Sequence, residues 1–441
     1  MNLQAPSASI QRSFKHRSSS VSRHRLASGV RSCKFLRCLM LGVWCFVMSN
    51  GRAQEFLDKV DDALFLQTRD GRARVDLSGT FDLEGYYVDQ RPPGLLLGDG
   101  KDFINPRLSL FLDARLGDHL YSFVQFRADR GFDPRGAVRD WRFDEYLLRW
   151  TPFDDSRLNF QIGKFATCVG NWVARHDSWN NPFITAPMPY ENVTTVADVN
   201  VPGSPAAFLA RRDIADNKPA WLPVLWGPAY TSGASVFGSI GRFDYALEFK
   251  NATVSSRPAV WDAQDLDWAD PTVSARLGFR PDAAWNMGAS FSRGTYLLPD
   301  AGNVAAFPAS RSIGDFPQTI FGADAAYVHG PWQLWGEIFL SRFVVPNVGD
   351  ADVLAYYIEA KYKFSARFFG ALRWNQQFFG DVNDGTGGRT PWDRDVWRVD
   401  AALGCRLTRH LQGKLQYSFN HHRSALQQGE QLVATQVTMK F

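Results

Sequence analysis

Hydrophobic and polar positions alternate with period two along most of the chain. From Leu432 to Phe441 one face reads Val433, Thr435, Val437, Met439 and Phe441, and the other Ala434, Gln436, Thr438 and Lys440. Just before it, Leu411, Gly413, Leu415, Tyr417 and Phe419 oppose Gln412, Lys414, Gln416, Ser418 and Asn420. Trp397, Val399, Ala401, Leu403, Cys405 and Leu407 oppose Arg398, Asp400 and Arg406 in the same way. Alternation sustained over eight or more residues predicts strands with one apolar and one polar face. Such runs lie near 72–89, 104–116, 119–130, 141–151, 156–165, 230–240, 242–252 and 271–280. Eight more lie near 284–294, 317–328, 331–344, 351–364, 366–379, 394–408, 410–421 and 432–441. The pattern thus predicts about sixteen strands. Only the preceding segment, 54–71, has helical spacing, at Phe56, Val60 and Leu64.

The connections alternate in length. Short turns are expected at Gly117-Asp118, Thr151–Ser156, Ile240-Gly241, Arg280–Ala283, His329–Pro331, Ser365 and Thr408-Arg409. Longer loops are expected at 90–103, 131–140, 166–229, 253–270, 295–316, 345–350, 381–393 and 422–431. Strict alternation places all short turns at one rim of an up-and-down barrel and all long loops at the other. With strands at least as long as the roughly 9–11 residues that cross a bilayer, this predicts an all-β, transmembrane, antiparallel outer-membrane barrel over 72–441. A soluble sandwich would produce the same alternation. Its strands are usually shorter, about 5–6 residues. Aromatics near strand ends (Trp150, Trp285, Phe291, Trp332, Tyr356, Phe364, Trp374, Trp397, Tyr417, Phe419, Phe441) instead suit two interfacial girdles.

Charge changes the picture at the N-terminus. Residues 1–53 carry nine Lys or Arg and no Asp or Glu. The apolar run Leu39–Met48 follows, then small residues Gly51 and Ala53, which together read as a secretory signal peptide ending at Ala53. The whole-chain charge of +4 then becomes 40 basic against 45 acidic residues beyond the cut, or −5. A nucleic-acid partner loses its support. Three cysteines fall in the leader, leaving Cys168 and Cys405, which form no disulfide framework and read as space-filling side chains, with pairing a minor alternative.

Certain residues resemble a known family. Gln161-Ile-Gly-Lys-Phe165 with Val169-Gly170 is similar to the segment that opens the long third loop in bacterial phosphate-selective porins of the O and P type. Arg107–Arg115 followed by Tyr121–Phe126 resembles that family's early hairpin. The resemblance implies a sixteen-stranded homotrimeric channel in outer-membrane lipid, whose third loop folds into the lumen and narrows it. The third connection here, 166–229, is independently the longest, and it carries Trp172, Trp179, Pro182, Phe183, Pro187, Pro189, Tyr190, Trp221 and Trp226. Rings in that number suit a packed loop better than a flapping one, inside the lumen or, as the alternative, as a lid on top of the barrel.

The function expected is passive diffusion of small polar solutes or ions through a water-filled lumen, with no enzyme activity and no cofactor or metal. Arg175, Asp177, Glu191, Arg211, Arg212 and Asp213 on the third loop are the expected constriction, facing Arg115, Arg127 and Arg149 on early strands. The family's phosphate selectivity uses a basic lane. Here basic inward positions alternate with acids, as in Asp113/Arg115, Arg242/Asp244, Glu359/Lys361 and Arg398/Asp400, so weak charge selectivity is expected. A barrel protease or phospholipase is the rival, with His421, His422 and Ser424, or His176-Asp177, as its chemistry. A plugged structural or adhesive barrel is the other. Asp381-Val-Asn-Asp-Gly385 has some features of a calcium loop but no closing Glu, and a simple turn is the alternative.

Overall fold

The computed structural model describes residues 55–441 apart from 56, 60–62, 91–92, 99, 132, 134–139, 215–217, 264–267 and 424–428. The expected leader, 1–53, lies outside the described residues. Residues 57–59 are helical, and a three-residue strand, Phe65–Gln67, pairs with the start of the barrel.

Sixteen long strands follow, one for each alternating run. They are β1 (Ala73–Val88), β2 (Asp102–Leu116), β3 (Leu120–Asp129), β4 (Asp140–Trp150), β5 (Asn159–Phe165) and β6 (Thr231–Ile240). Next come β7 (Phe243–Lys250), β8 (Thr272–Phe279), β9 (Trp285–Thr295), β10 (Pro317–His329) and β11 (Trp332–Val345). The last five are β12 (Gly349–Lys363), β13 (Phe368–Phe379), β14 (Val396–Arg406), β15 (Leu411–His422) and β16 (Glu430–Lys440). Each pairs antiparallel with its neighbour in sequence, and β16 returns to β1, with Thr80 opposite Lys440 and Val88 opposite Leu432. The ring is therefore closed, which leaves no row of unpaired backbone groups to face hydrocarbon.

The two faces of the wall are inverted relative to a water-soluble protein. Leu372, Ile358 and Leu403 point outward and stay about 60% exposed, whereas Glu359, Asp400 and Gln416 point inward and are fully buried. Outward rings gather at the short-turn rim as cross-strand pairs: Trp150 with Phe160, Trp285 with Tyr327, and Trp332 with Tyr362. Nearer the other rim, Trp374 stacks on Trp397, with centroids 5.3 Å apart. This outer surface is stable only against lipid. Among the described residues both cysteines are free thiols; Cys168 lies inside the barrel and Cys405 on its outer face.

Loop three, 166–229, enters the barrel and builds its core. Tyr190, Phe208, Trp226 and Leu222 from the loop cluster with Phe339, Phe343 and Tyr357 of the β11–β12 wall, all essentially without solvent exposure. Within the loop, α1 (Pro205–Leu209) starts where the Ser204 hydroxyl accepts from the Ala207 amide, and Val193–Ala197 pairs with Trp221–Pro223. The loop's many rings are thus explained by burial inside the lumen.

One irregularity interrupts the wall. Between β3 and β4 the register shifts, Gln125 facing Glu145 and Phe126 facing Phe143, so Asp144 is an extra bulged residue. A bulge turns two successive side chains to one face. Asp144 and Glu145 consequently both point inward, and Arg142 joins them, while Trp141 and Phe143 face lipid.

The seam gives the first test. Gly79 exchanges two backbone hydrogen bonds with Phe441, at 2.8 and 3.0 Å, and a Cβ there would lie 2.6 Å from the Phe441 ring and 2.9 Å from the Ser109 carbonyl. Gly79→Leu is expected to destabilise closure by about 2 kcal/mol, read as a lower temperature for losing the compact, fast-migrating form in detergent gels.

Candidate functional site

The wall from β11 to β15 spends its inward polar groups on loop three. Glu337 on β11 accepts from the backbone amides of Asn171 (2.8 Å) and Trp172, and from the hydroxyls of Tyr190 and Tyr357. Arg175 donates to Glu359 on β12 at 2.7 Å, with its guanidinium over the Trp335 ring. Asn375 and Gln377 on β13 take the Met188 amide and the Asn192 side chain. Arg373 and Arg398 donate to the Thr185 and Ala186 carbonyls, and Arg398 also pairs with Glu191. Gln416 accepts the Ile184 amide, and Lys414 donates to the carbonyls of Ser178, Asn181 and Phe183. A loop buried at this depth must satisfy its backbone internally, and these side chains do so. Gly170 belongs to the same device. Its φ of +81° lets the chain turn over Glu337, and a Cβ would lie 2.7 Å from a Glu337 carboxylate oxygen.

On the opposite side a cavity of about 210 Å³ remains between the loop and the β1–β3 wall. Asp82, Glu84, Arg107, Gln125, Arg127 and Asp129 line the wall, and His176, Asp177 and Glu191 line the loop. Here the charges pair mainly across strands. Arg107 on β2 bridges Asp82 (3.1 Å) and Glu84 (2.5 Å) of β1, and both acids are almost fully buried. Arg127 meets the bulged Asp144 at 3.0 Å, and Arg142 meets both Asp129 (2.8 Å) and Asp144 (2.7 Å). Acid and guanidinium therefore alternate around this arc, with no large patch of one sign.

The expected constriction residues divide by position. Arg127, Asp177 and Glu191 line the cavity. Arg175 turns away to β12. Arg211 donates to the Thr195 and Asn200 carbonyls, and Arg212 to Thr390 and the Pro391 carbonyl, both beyond the cavity. The side chain of Asp213 lies outside the described residues. Arg115 and Arg149 sit near the short-turn ends of β2 and β4; Arg149 bonds to Gln161 and lies over the Tyr121 ring. Asp82 and Glu84 were missed by the sequence reading, although the parity of β1 places them beside Tyr86 on the inward face. Arg142 and Asp144 were hidden by the bulge, since strict alternation from Arg149 puts them outside.

The residues named for the enzyme rival take the following places. His176 Nδ1 meets the Val173 carbonyl, and its Nε2 meets the Tyr230 hydroxyl at 2.5 Å. Burial and the nearby Arg127 push its pKa below the ordinary imidazole value. Asp177 caps the Trp179 and Asn180 amides. His421 packs against Trp397, His422 lies 3.7 Å from Glu430, and Ser424 is outside the described residues. Asp384 accepts from the amides of Thr386 and Gly388, making its segment a turn.

No protein-family model and no curated protein sequence matches the chain. Solved structures do. In-vitro-folded OmpT, an outer membrane protein of Vibrio cholerae, is 10% identical over 86% of this chain and 99% of its own, with a TM-score of 0.53. An anion-selective porin from Comamonas acidovorans is 11% identical over 84% and 100%, also at 0.53. Salmonella typhi OmpF, in a complex with daunomycin, is 11% identical over 85% and 100%, at 0.51. The fold is that of a porin-type outer-membrane barrel. At these identities the likeness speaks for architecture alone, and within that architecture the cavity beside loop three is the lumen left between loop and wall.

Glu337 is the test of this arrangement. Glu337→Ala strands two amides and two hydroxyls, a loss of about 3 kcal/mol or more, and is expected to release loop three. Planar-bilayer recordings should show larger, noisier single-channel steps while the barrel still migrates as a folded species.

Proposed function

We propose that the chain is an outer-membrane channel for passive diffusion of small hydrophilic solutes or ions, with weak charge selectivity, and that it works as a homotrimer. The observation that carries the reading is the residual cavity lined by both signs of charge between loop three and the β1–β3 wall. No bond is made or broken; a solute passes by exchanging water for the polar groups of the narrowest arc. The residues assigned to that arc are Asp82, Glu84, Arg107, Arg127, Asp129, Asp177 and Glu191. The resemblance to phosphate-selective porins would require basic groups left free for an anion. Arg107 and Arg127 each face a carboxylate, which favours mild discrimination over a phosphate trap.

A second reading, a plugged barrel, draws on the buried core that loop three builds inside the lumen. Liposome swelling with sugars of graded size separates the two. Swelling with the smallest sugars supports the channel, and its complete absence would sink it. Selectivity is tested by single substitutions. Arg107→Ala leaves two wall acids unbalanced, and Asp82→Asn does the reverse. Each should shift ion preference by about 1 kcal/mol, roughly fivefold in permeability ratio, toward cations for the first and anions for the second. Reversal potentials in a salt gradient read both.

A further inference from the structure

The outer wall carries an apolar groove of about 440 Å³ near the short-turn rim. Its floor is short side chains, Ala360, Gly370 and Ala401, and taller ones bound it, Trp332 and Tyr362 to one side and Tyr417 to the other. Ladder register explains the shape. One row across the wall reads Trp332, Tyr362, Gly370, Leu403, Leu415, and the next Leu334, Ala360, Leu372, Ala401, Tyr417. Gly370 in one row thus lies diagonal to Ala360 and Ala401 in the next, and the taller residues rise around them. Phe364 and Phe368 extend the apolar surface toward the rim and are more than half exposed.

The rim above this groove is basic. Lys363 and Arg367 are exposed there, while Lys361, Arg406 and Lys414 turn into the lumen and Arg409 pairs with Asp58; residues 325–336, 360–372 and 401–416, which build this sector, contain no Asp or Glu. Other short turns differ: the ones at 117–118, 151–156 and 280–283 contain Asp118, Asp154, Asp155 and Asp282. Arg367 lies in the β12–β13 turn beside the outward Cys405, and no carboxylate pairs with it among the described residues. An unpaired guanidinium at headgroup height over an apolar slot is complementary to a phosphate carried on acyl chains.

We propose that this groove holds one anionic glycerophospholipid of the periplasmic leaflet, an acyl chain lying on Gly370 and Ala401 and the phosphate meeting Arg367. The assignment is independent of what passes through the lumen.

Native mass spectrometry of the full protein in detergent, titrated with phosphatidylglycerol or phosphatidylcholine, tests it. The expected result is one phosphatidylglycerol per chain, retained at collision energies that strip phosphatidylcholine. Arg367→Gln, an exposed turn substitution, should lower that retention about fivefold, the effect of one basic residue near an anionic surface. Ala401→Phe should abolish it by filling the floor. Arg157→Gln, at a distant turn, should leave it unchanged. Equal retention of the two lipids, or indifference to Arg367→Gln, would overturn the site. So would dissociation of an oligomer by Ala401→Phe with no lipid bound at all, because the groove would then be an interface between copies. Heat-modifiable migration confirms folding of each variant.

Discussion

The interior of this barrel depends on one requirement, that a 64-residue loop buried in the lumen find partners for its backbone. Glu337 meets most of it at one point. Its carboxylate takes two consecutive amides at the loop's entry and two tyrosine hydroxyls, one from the loop and one from the neighbouring strand. An unpaired buried amide costs about 1–3 kcal/mol, so the arrangement around Glu337 decides whether the loop stays in or swings out. Further contacts, from Arg175 on Glu359 to Lys414 under Ser178, repeat the same exchange of wall side chain for loop backbone or side chain.

This division of labour gives the lumen its asymmetry. Strands β11 to β15 are occupied in holding the loop, and the β1–β4 arc turns most of its charged groups toward the remaining cavity. Charge count along the inward face therefore says little about permeation. Arg373 and Arg398 are as inward-facing as Arg107, yet they are fasteners. The bulge at Asp144 sharpens the contrast, because it brings one more acid and one more arginine into the arc that remains and locks them to Arg127 and Asp129.

The outer surface follows a different logic, set by lipid rather than by the loop. Tall and short side chains fall in rows because antiparallel register aligns them across strands. Where Gly370 lies diagonal to Ala401 between aromatics, the wall is notched, with the exposed Lys363 and Arg367 at the rim beside it.

Much of this was legible in the sequence. Period-two alternation is a property of extended backbone itself, so strand number, strand limits, rim assignment and the inward or outward sense of most side chains follow without tertiary information. The placement of loop three in the lumen was also readable, from its length and its rings. What the sequence could not specify was which inward charges would be spent on the loop, because that depends on where a long irregular segment touches the wall. Arg175, Arg211 and Arg212 look like any lumen arginine until Glu359, the Thr195 carbonyl and the Pro391 carbonyl are seen beside them. Nor could alternation reveal Arg142 and Asp144, since a single bulged residue reverses parity for everything beyond it. Local geometry determined the barrel; long-range contacts decided which of its charges face water.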